Sequence, residues 1–332
     1  MCPELFRIPF TPLTVKAYGT MMVIGFLLAI TLMRHCAGII KHNPEYVTNS
    51  ALYALISGVV GARIFYIIHN FDGYRDNLLS VFQVWKGGLE LVGGVLFAIA
   101  VLIFILKKNK LPIRTYLDML AIGLMLGLSV GRIGCYLNGC CFGKPTDSAF
   151  AIHFPYGSPS YLTQVYPNPD RNRFEPQIDL PAEFFGYLAD DGRTWVSATE
   201  GSKFYMSLKP WDMLTDEQKR LVNEKYRHLA VIPTQFISSF DALVICGILY
   251  FFWRKRGIMH QGATFALMFI LYGPNRFFIE TLRDDNPFEH QWWTLYKGGT
   301  ISQNICIYMF VLGLILIFAF SSVKSLPPEP KK

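Results

Sequence analysis

The sequence predicts an all-α integral membrane protein with seven transmembrane helices. Hydrophobic residues make up 52% of the 332-residue chain, and the mean hydropathy is +0.30. These apolar residues are clustered in seven stretches, each close to the roughly 20 residues that a helix needs to cross a bilayer. The stretches lie near residues 14–34, 48–70, 90–107, 116–138, 234–253, 262–282 and 300–322.

Lysine and arginine in the short loops set the predicted orientation. Basic residues are concentrated after the first, third and fifth stretches and in the C-terminal tail. All four regions lie on one side of a seven-helix chain, and the positive-inside rule makes that side cytoplasmic. The N-terminus is therefore predicted to be extracytoplasmic and the C-terminus cytoplasmic. These anchoring residues explain much of the net charge of +7, so the charge requires no nucleic acid.

One polar segment interrupts the apolar pattern. Residues 144–233 are rich in Pro, Asp, Tyr and Arg, and they predict a partly structured extracytoplasmic insertion between helices 4 and 5, with a short helix at 215–228. Its basic residues fit this topology because long segments are translocated largely regardless of charge. The chain is thus divided into helices 1–4 at 1–143, the insertion at 144–233, and helices 5–7 with a cytoplasmic tail at 234–332.

Three arginines lie inside predicted helices. Arg63, Arg132 and Arg276 each fall in the extracytoplasmic half of a helix. An arginine within a bilayer costs about 2.5–3.5 kcal/mol on insertion scales, which makes it typical of functional sites. Because a guanidinium binds phosphate through paired N–H donors, three at one depth predict a pocket for an anionic headgroup. The structural alternative is an arginine that caps main-chain carbonyls or pairs with a carboxylate.

Further polar residues share faces with two of these arginines. Asn138 lies six residues after Arg132, on the same stripe of the fourth helix. In the sixth helix, Glu280 lies four residues after Arg276 and three before Arg283. The structural alternative for this second group is an ion pair near the interface, worth about a few tenths of a kcal/mol.

Three of the seven cysteines are clustered on the side predicted to be oxidising. Cys135, Cys140 and Cys141 are compatible with one disulfide, with a zinc site, or with unpaired buried thiols. The zinc site would need a fourth ligand such as His153, and the spacing is not a usual one for zinc. The sequence favours unpaired thiols and no metal.

The order and spacing of these residues carry a resemblance. The most specific segment is Gly131-Arg132-Ile133-Gly134-x-x-x-Asn138-Gly139-x-x-x-Gly143. Further segments are Tyr18-Gly19, Gly61-Ala62-Arg63, Val84-Trp85-Lys86-Gly87-Gly88-Leu89, Gly93-Gly94, Phe150-Ala151-x-x-Phe154-Pro155, Pro233-Thr234-Gln235 and Tyr272-Gly273-x-x-Arg276-Phe277-x-x-Glu280-x-x-Arg283. Together they resemble the prolipoprotein diacylglyceryl transferase family over most of the chain except much of 155–230.

The resemblance implies a multi-pass enzyme of the bacterial plasma (inner) membrane whose active face is toward the outer leaflet. Such an enzyme transfers the diacylglyceryl group of phosphatidylglycerol to the lipobox cysteine in the signal peptide of a preprolipoprotein, and releases glycerol phosphate. No metal or soluble cofactor is implied. Arg132 and Arg276 match the arginines tied to phosphate handling and catalysis. The residues assigned to headgroup binding are Arg63, Arg132, Asn138, Gly143, Gln235, Arg276 and Glu280.

Several departures make the chain a divergent member. Val92 stands where the family commonly has a histidine, sometimes a tyrosine, and so the usual base for a thiol of pKa about 8.5 is missing. Cys135 and Cys140 replace an asparagine and an acidic residue. Glu90 and Tyr18 are the candidate replacement bases. Alternatively, the positive potential of the arginines lowers the thiol pKa enough to need no strong base.

The main alternative is a membrane paralogue that binds or translocates an anionic lipid without transferase chemistry. The same arginine pocket would serve it, and the missing histidine favours it. Transporters of this kind often contain inverted repeats, and we find none in the sequence. A seven-helix receptor is less favoured, because no predicted cytoplasmic loop is long enough for signalling.

Overall fold

The computed structural model describes residues 4–7, 14–71, 88, 90–191, 194–257, 260–288 and 293–321. Long helices dominate this part of the chain. They are α1 (Ala17–Ile39), α2 (Pro44–His69), α3 (Leu91–Lys108), α4 (Ile113–Asn138), α7 (Thr234–Phe252), α8 (Ala263–Thr281) and α9 (Ile301–Ser321). Two shorter helices, α5 (Pro159–Val165) and α6 (Asp216–Glu224), lie between α4 and α7.

Each predicted apolar stretch coincides with one of the long helices. The largest differences are at α1, which continues five residues beyond the predicted end, and at α2, which begins four residues early. The early start of α2 has a local cause. Asn43 caps the helix by accepting from the backbone N–H of Glu45, and Pro44 occupies the first turn, where a missing N–H costs nothing.

Five of the long helices are long and apolar enough to cross a membrane. They are α1, α2, α4, α9 and α7, the last counted through to Lys255 in the π-helical segment Trp253–Gly257. Large apolar side chains such as Ile56, Phe240 and Phe318 are 60–72% exposed, which suits a lipid environment. The chain is therefore consistent with an integral membrane protein. Crossing by all seven helices and the orientation stay predictions.

The chain forms two compact units. The first comprises Met1–Gly25, Met125–Ile245 and Phe269–Leu314, and the second comprises Phe26–Leu124, Cys246–Met268 and Ile315–Lys332. The 144–233 insertion lies wholly in the first unit.

In the first unit, small residues bring α4 close to its neighbours. A Cβ on Gly134 would lie 3.0 Å from Met21 Cβ, so α1 is the neighbour that approaches this glycine. On α7, Ser239 Oγ donates to Ser129 O at 2.8 Å, while Ser129 Oγ donates to Ser239 O at 2.8 Å. This reciprocal pair satisfies buried hydroxyls inside an apolar helix contact.

The insertion folds around a core of its own, which is more order than the sequence suggested. Strands β3 (Phe185–Leu188), β4 (Trp195–Ser197) and β5 (Ser207–Leu208) form an antiparallel sheet in the order β4-β3-β5. The predicted helix at 215–228 is confirmed as the shorter α6, which begins with a capping box between Thr215 and Gln218. The core residues include Tyr161, Val165, Leu180, Phe184, Phe185 and Val222.

Two more strands precede α1, so the described chain is not purely helical. Strands β1 (Glu4–Arg7) and β2 (Thr14–Lys16) pair antiparallel. The sequence did not predict them because strands of three or four residues carry too little periodicity to be detected.

In the second unit, glycines and a buried carboxylate set the packing. A Cβ on Gly94 of α3 would lie 2.9 Å from Gly58 O of α2, so these helices are in close contact. Asp118 of α4 accepts from the backbone N–H groups of Gly262 at 2.7 Å and Phe265 at 2.8 Å. This buried side chain therefore caps the N-terminus of α8, where the first N–H groups lack helical partners.

Acid is expected to loosen the insertion through His228. This buried side chain accepts from the backbone N–H of Phe154 through Nδ1 at 3.2 Å, and its Nε2 lies 2.7 Å from Ser160 Oγ. Burial, reinforced by the neighbouring His153, lowers the pKa of His228 to about 3. The unfolded segment takes up a proton near pH 6.5 and the folded one does not, so stability falls as pH drops from that value toward 3.

The expected loss is about 1.4 kcal/mol per pH unit in that interval. Hydrogen exchange of the insertion's amides, corrected for intrinsic rates, would report it. His228→Gln keeps a neutral donor and acceptor and should remove the pH dependence. An equal pH dependence in that variant would contradict the assignment.

Candidate functional site

Glu280 is the centre of a buried charge network at the end of α8. Its Oε2 lies 2.6 Å from Arg276 Nη2 and 3.3 Å from Arg283 Nη1. Thr300 Oγ1 donates to Glu280 Oε1 at 3.1 Å, and Asn286 donates to the same oxygen. The glutamate is only 2% exposed, so the i, i+4 spacing read from the sequence produces a buried pair rather than a surface one.

A second carboxylate neutralises Arg283. Asp285 accepts from Arg283 Nε at 2.8 Å and from Nη2 at 2.7 Å, which is the bidentate geometry that guanidinium and carboxylate groups favour. Glu280 is then left to balance Arg276. Both arginines are buried, so neither charge is strongly screened by water.

Arg276 retains a free donor. Its Nη2 contacts Glu280 and donates to Ser302 Oγ at 3.3 Å, whereas its buried Nη1 has no hydrogen-bond partner within the described ranges. Buried donors without a partner are rare in folded proteins. The free Nη1 therefore marks a place where a ligand's acceptor oxygen fits.

Arg132 differs from Arg276 and Arg283 in having no carboxylate partner among the described residues. It lies on α4, half-buried, and makes no ion pair or hydrogen bond with any residue that the structure describes. Its charge interacts favourably with Cys141 and unfavourably with those of Arg276 and Arg283. A guanidinium in this position is stabilised by an anion, and a phosphate matches its planar donors.

The turn after α4 is held by the start of α7. Thr234 Oγ1 donates to Cys141 O at 2.7 Å, and Gln235 Nε2 donates to Cys140 O at 2.8 Å. The Oε1 atom of Gln235 is buried and has no partner in the described part of the chain. The Nε2 atom of Gln235 thus holds the turn, and its Oε1 atom is left as a free acceptor.

Gly143, the last residue of the segment that begins at Gly131, contacts neighbouring segments through its backbone. Its N–H donates to Ile232 O at 3.1 Å, and it forms an isolated antiparallel bridge with Arg283. A Cβ at this position would lie 2.6 Å from both Ile232 Cβ and Ile232 O and 2.9 Å from Thr234 Cγ2. The glycine is required for close approach of three segments, and it supplies no side chain to a ligand.

Gly143→Ala is therefore expected to displace the turn and lower stability by about 1–3 kcal/mol, as overpacking typically does. Thermal unfolding in detergent would measure this loss. Gly157→Ala provides a comparison, because a Cβ there meets nothing within 4 Å although its φ of +74° carries strain. Equal unfolding temperatures for Gly143→Ala and the unmodified chain would contradict the packing account.

The three clustered cysteines lie close together but form no disulfide with one another. Cys135, Cys140 and Cys141 are free, and their Sγ atoms all lie within 4.8 Å of one another. That these thiols stay unpaired in the protein remains a prediction. Hydrogen bonds from Cys135 and Cys140, together with the charges of Arg283 and Arg132, lower the pKa of the Cys141 thiol well below its usual range.

His153 is not the fourth member of this cluster. Its Nδ1 lies 2.7 Å from the backbone oxygen of His228, inside the insertion. Asn138 ends α4, two residues before Cys140 in the chain.

Comparison with known proteins now adds to this geometry. The sequence profile described as prolipoprotein diacylglyceryl transferase matches residues 3–319. The chain belongs to the prolipoprotein diacylglyceryl transferase family. A relative from Buchnera aphidicola subsp. Acyrthosiphon pisum (strain Tuc7), named phosphatidylglycerol–prolipoprotein diacylglyceryl transferase, is 29% identical over 325 residues, which cover 95% of this chain and 96% of the relative. A relative of the same name from Clostridium botulinum (strain 657 / Type Ba4) is 33% identical over 307 residues, covering 92% and 94%.

Most of the residues that the family resemblance singled out lie in the first unit. Tyr18 also belongs there; it packs near Gly134, and its ring hydroxyl interacts electrostatically with Arg132 and the three thiols. The other members in this unit are Arg132, Asn138, Gly143, Gln235, Arg276 and Glu280. The second unit contains Arg63 and Glu90.

Arg63 has the contacts of a structural arginine. Its Nη1 donates to Gly88 O at 3.0 Å, and its guanidinium lies 5.8 Å from the centre of the Tyr66 ring. Capping of a main-chain carbonyl is the alternative that the sequence left open for this residue. A role of Arg63 in headgroup binding stays a prediction.

Glu90 has a partner that sequence reasoning missed. Its Oε2 lies 2.7 Å from His69 Nδ1, at the C-terminal end of α2. Val92 is 58% exposed on α3. A histidine at the predicted outer end of a neighbouring helix was the available signal, but 21 residues separate it from Glu90, so the sequence did not reveal the pair.

The insertion also contacts the arginine network. Arg173 Nη1 donates to Asp284 Oδ2 at 2.8 Å, and Arg171 lies 3.5 Å from Asp284 Oδ1 while donating to Arg283 O. Lys144 N–H donates to Leu282 O at 2.8 Å. The insertion therefore braces the segment after α8 that carries Arg283, a contribution that its composition did not indicate.

Proposed function

We propose that this chain transfers the diacylglyceryl group of phosphatidylglycerol to the lipobox cysteine of a preprolipoprotein, with release of glycerol phosphate. The observation that carries the proposal is Arg276, whose Nη1 is buried and has no partner among the described residues, together with Arg132, whose charge is close enough to interact with it. Two guanidinium groups with free donors fit a phosphodiester. The family to which the chain belongs supplies the reaction.

The arginines would act on the leaving group. When the acceptor sulfur attacks the glyceryl carbon, the C–O bond breaks and negative charge grows on the departing phosphate. Arg276 is oriented before the reaction, because Glu280 and Ser302 hold it in place. Fixed donors of this kind stabilise a transition state more than a ground state, because the charge appears only as the bond breaks.

Neutral groups would position the rest of the donor. The free Oε1 of Gln235 can accept from a glycerol hydroxyl, and Asn138 lies at the end of α4 beside the same turn. Gly143 shapes the site through its backbone contacts, and Glu280 shapes it by holding Arg276. These assignments extend the predicted headgroup set without requiring a soluble cofactor.

The acceptor thiol must lose a proton, and two groups are proposed to take it. Tyr18 lies beside Arg132 in the first unit, whereas Glu90 acts with His69 in the second. A carboxylate on Nδ1 orients the imidazole and leaves Nε2 as the base.

Glu90→Gln is expected to lower turnover by roughly 10²–10⁴-fold while phosphatidylglycerol binding persists, if the His69–Glu90 pair is the base. His69→Gln should have a similar effect. Tyr18→Phe is the matched test of the other candidate. Rates would be measured as lipidated peptide formed in detergent. Near-normal turnover in both Glu90→Gln and His69→Gln would remove this pair from the mechanism.

We further propose that all seven long helices cross the bacterial inner membrane, with the N-terminus and the 144–233 insertion outside. The arginine site would then open to the outer leaflet. There it meets phosphatidylglycerol and the signal peptide of a translocated preprolipoprotein. In this topology, residues 1–143 contain helices 1–4, residues 144–233 form the insertion, and residues 234–332 contain helices 5–7 and the cytoplasmic tail.

Transfer in detergent is the test of the function. Purified protein would be incubated with phosphatidylglycerol and a lipobox peptide, while glycerol phosphate and lipidated peptide are both followed. A matched peptide with serine in place of the cysteine should give no product. Exposed Arg220→Ala controls for the loss of an arginine as such. Lipid binding without either product would instead support the lipid-binding paralogue.

A further inference from the structure

We propose that Cys135, Cys140 and Cys141 form a binding site for one Zn²⁺ ion, and that its open fourth position takes the acceptor thiol. The metal site stands on the geometry of the three cysteines. The identity of the fourth ligand rests on the proposed transfer reaction. The sequence alone favoured unpaired thiols because Cys-x₄-Cys-Cys is not a usual zinc spacing.

The thiols are already close to zinc geometry. Their Sγ atoms all lie within 4.8 Å of one another. Thiolates on tetrahedral Zn²⁺ are about 3.8 Å apart, since each Zn–S bond is about 2.3 Å long. Each pair therefore needs to close by no more than about 1 Å, which small side-chain rotations supply. Sulfur ligands select Zn²⁺ over the hard cations Mg²⁺ and Ca²⁺.

An unusual backbone turn directs two adjacent cysteines to one point. Cys141 has a φ of +58°, in the left-handed region that residues other than glycine seldom adopt. Such conformations persist where surrounding contacts hold them, and they are concentrated at functional sites. Here the hydrogen bonds from Thr234 to Cys141 O and from Gln235 to Cys140 O hold the turn. The site is thus built before a ligand arrives.

The charges around the cluster fit an anionic metal–thiolate group. Four thiolates on Zn²⁺ carry two more negative charges than the ion neutralises. Arg132 lies on α4 three residues before Cys135, and Arg283 pairs through its backbone with Gly143, two residues after Cys141. Arg132 is also a proposed phosphate ligand, so nucleophile and leaving group would be stabilised by one cation.

Zinc with three protein ligands keeps one position for substrate. The acceptor thiol would give its proton to the base proposed above as it binds the metal, because a coordinated thiol is held as the thiolate. Its lone pair then forms the S–C bond while the C–O bond breaks, and that electron pair leaves with the phosphate oxygen. The neutral thioether is a weaker ligand and is released. This route accounts for a family member that has Val92 in the place of a histidine.

Metal content and a thiol-specific spectroscopic change test the proposal. The full chain purified in detergent should contain one Zn²⁺, and Cys135→Ser and Cys141→Ser should lose it. Cys246→Ser is the matched control, since Cys246 is a buried free thiol in the other unit whose Sγ donates to Ile122 O at 3.4 Å. After Co²⁺ replaces Zn²⁺, a lipobox peptide added without phosphatidylglycerol should change the thiolate-to-cobalt absorption. The serine peptide should not.

Three results would overturn the proposal. One is a metal-free protein whose transfer rate is unchanged by chelation, and another is a disulfide within the cluster. If the cobalt absorption does not change when the cysteine peptide is added, the acceptor assignment is overturned. Because this spectroscopic test needs no turnover, it separates the two ideas: a spectral response without lipidated product would support the metal site and contradict the proposed transfer.

Discussion

Glu280→Ala is expected to destabilise the first unit by about 3–5 kcal/mol, the usual cost of removing one partner from a buried ion pair. The carboxylate is fully buried and contacts both Arg276 and Arg283, at 2.6 and 3.3 Å. Arg283 keeps Asp285, but Arg276 loses its only ion-pair partner among the residues described. Thr300 and Asn286 lose their common acceptor at the same time.

Thermal unfolding and transfer would be measured together on this variant in detergent. Glu280→Gln preserves the shape and one acceptor oxygen, so it separates the charge from the packing. Glu217→Ala, on the first turn of α6, is a control for loss of an exposed glutamate. We expect Glu280→Ala to unfold at a markedly lower temperature and to be inactive. An unfolding temperature equal to that of Glu217→Ala would show that the network is not holding the site.

Local sequence patterns predicted the helices well because hydropathy is a property of contiguous residues. The same holds for Arg276 and Glu280, since residues four apart share a helix face. Thr300 and Asn286 reach Glu280 from outside that helix, and no periodicity relates them. Asp118 is similar: it caps α8 from α4, 144 residues away from Gly262 in sequence. The sequence locates the charged residues, and the tertiary fold selects their partners.

The thiol cluster shows a second limit. Its three cysteines were recognisable in sequence, yet their spacing argued against a metal site. The left-handed backbone of Cys141, held by hydrogen bonds from α7, brings the sulfurs together. Neither the backbone conformation nor the hydrogen bonds can be predicted from the spacing of residues in the sequence. Gly143 is the opposite case. The family signature predicted its importance, while the reason, close approach to Ile232, required the structure.

Arg132→Ala is expected to reduce transfer by about 10²–10³-fold, the cost of removing one fixed donor from a developing anion. Its effect on stability should be much smaller than that of Glu280→Ala. Arg132 makes no hydrogen bond or ion pair with the described residues, and its charge interacts favourably with Cys141 and unfavourably with Arg276 and Arg283. Removing it relieves one interaction and loses another, so the unfolding temperature should change little. A residue kept for function rather than for stability has this combination of effects.

Arg132→Lys distinguishes charge from geometry. Lysine keeps the positive charge but cannot offer the planar pair of donors, so it should restore only part of the lost rate. Transfer rates and unfolding temperatures of both variants would be measured on the same detergent preparations, together with phosphatidylglycerol binding. Full activity in Arg132→Ala would exclude this arginine from the reaction. A lowered unfolding temperature would assign it a structural contact instead, and the phosphate site would then have to be built on Arg276 alone.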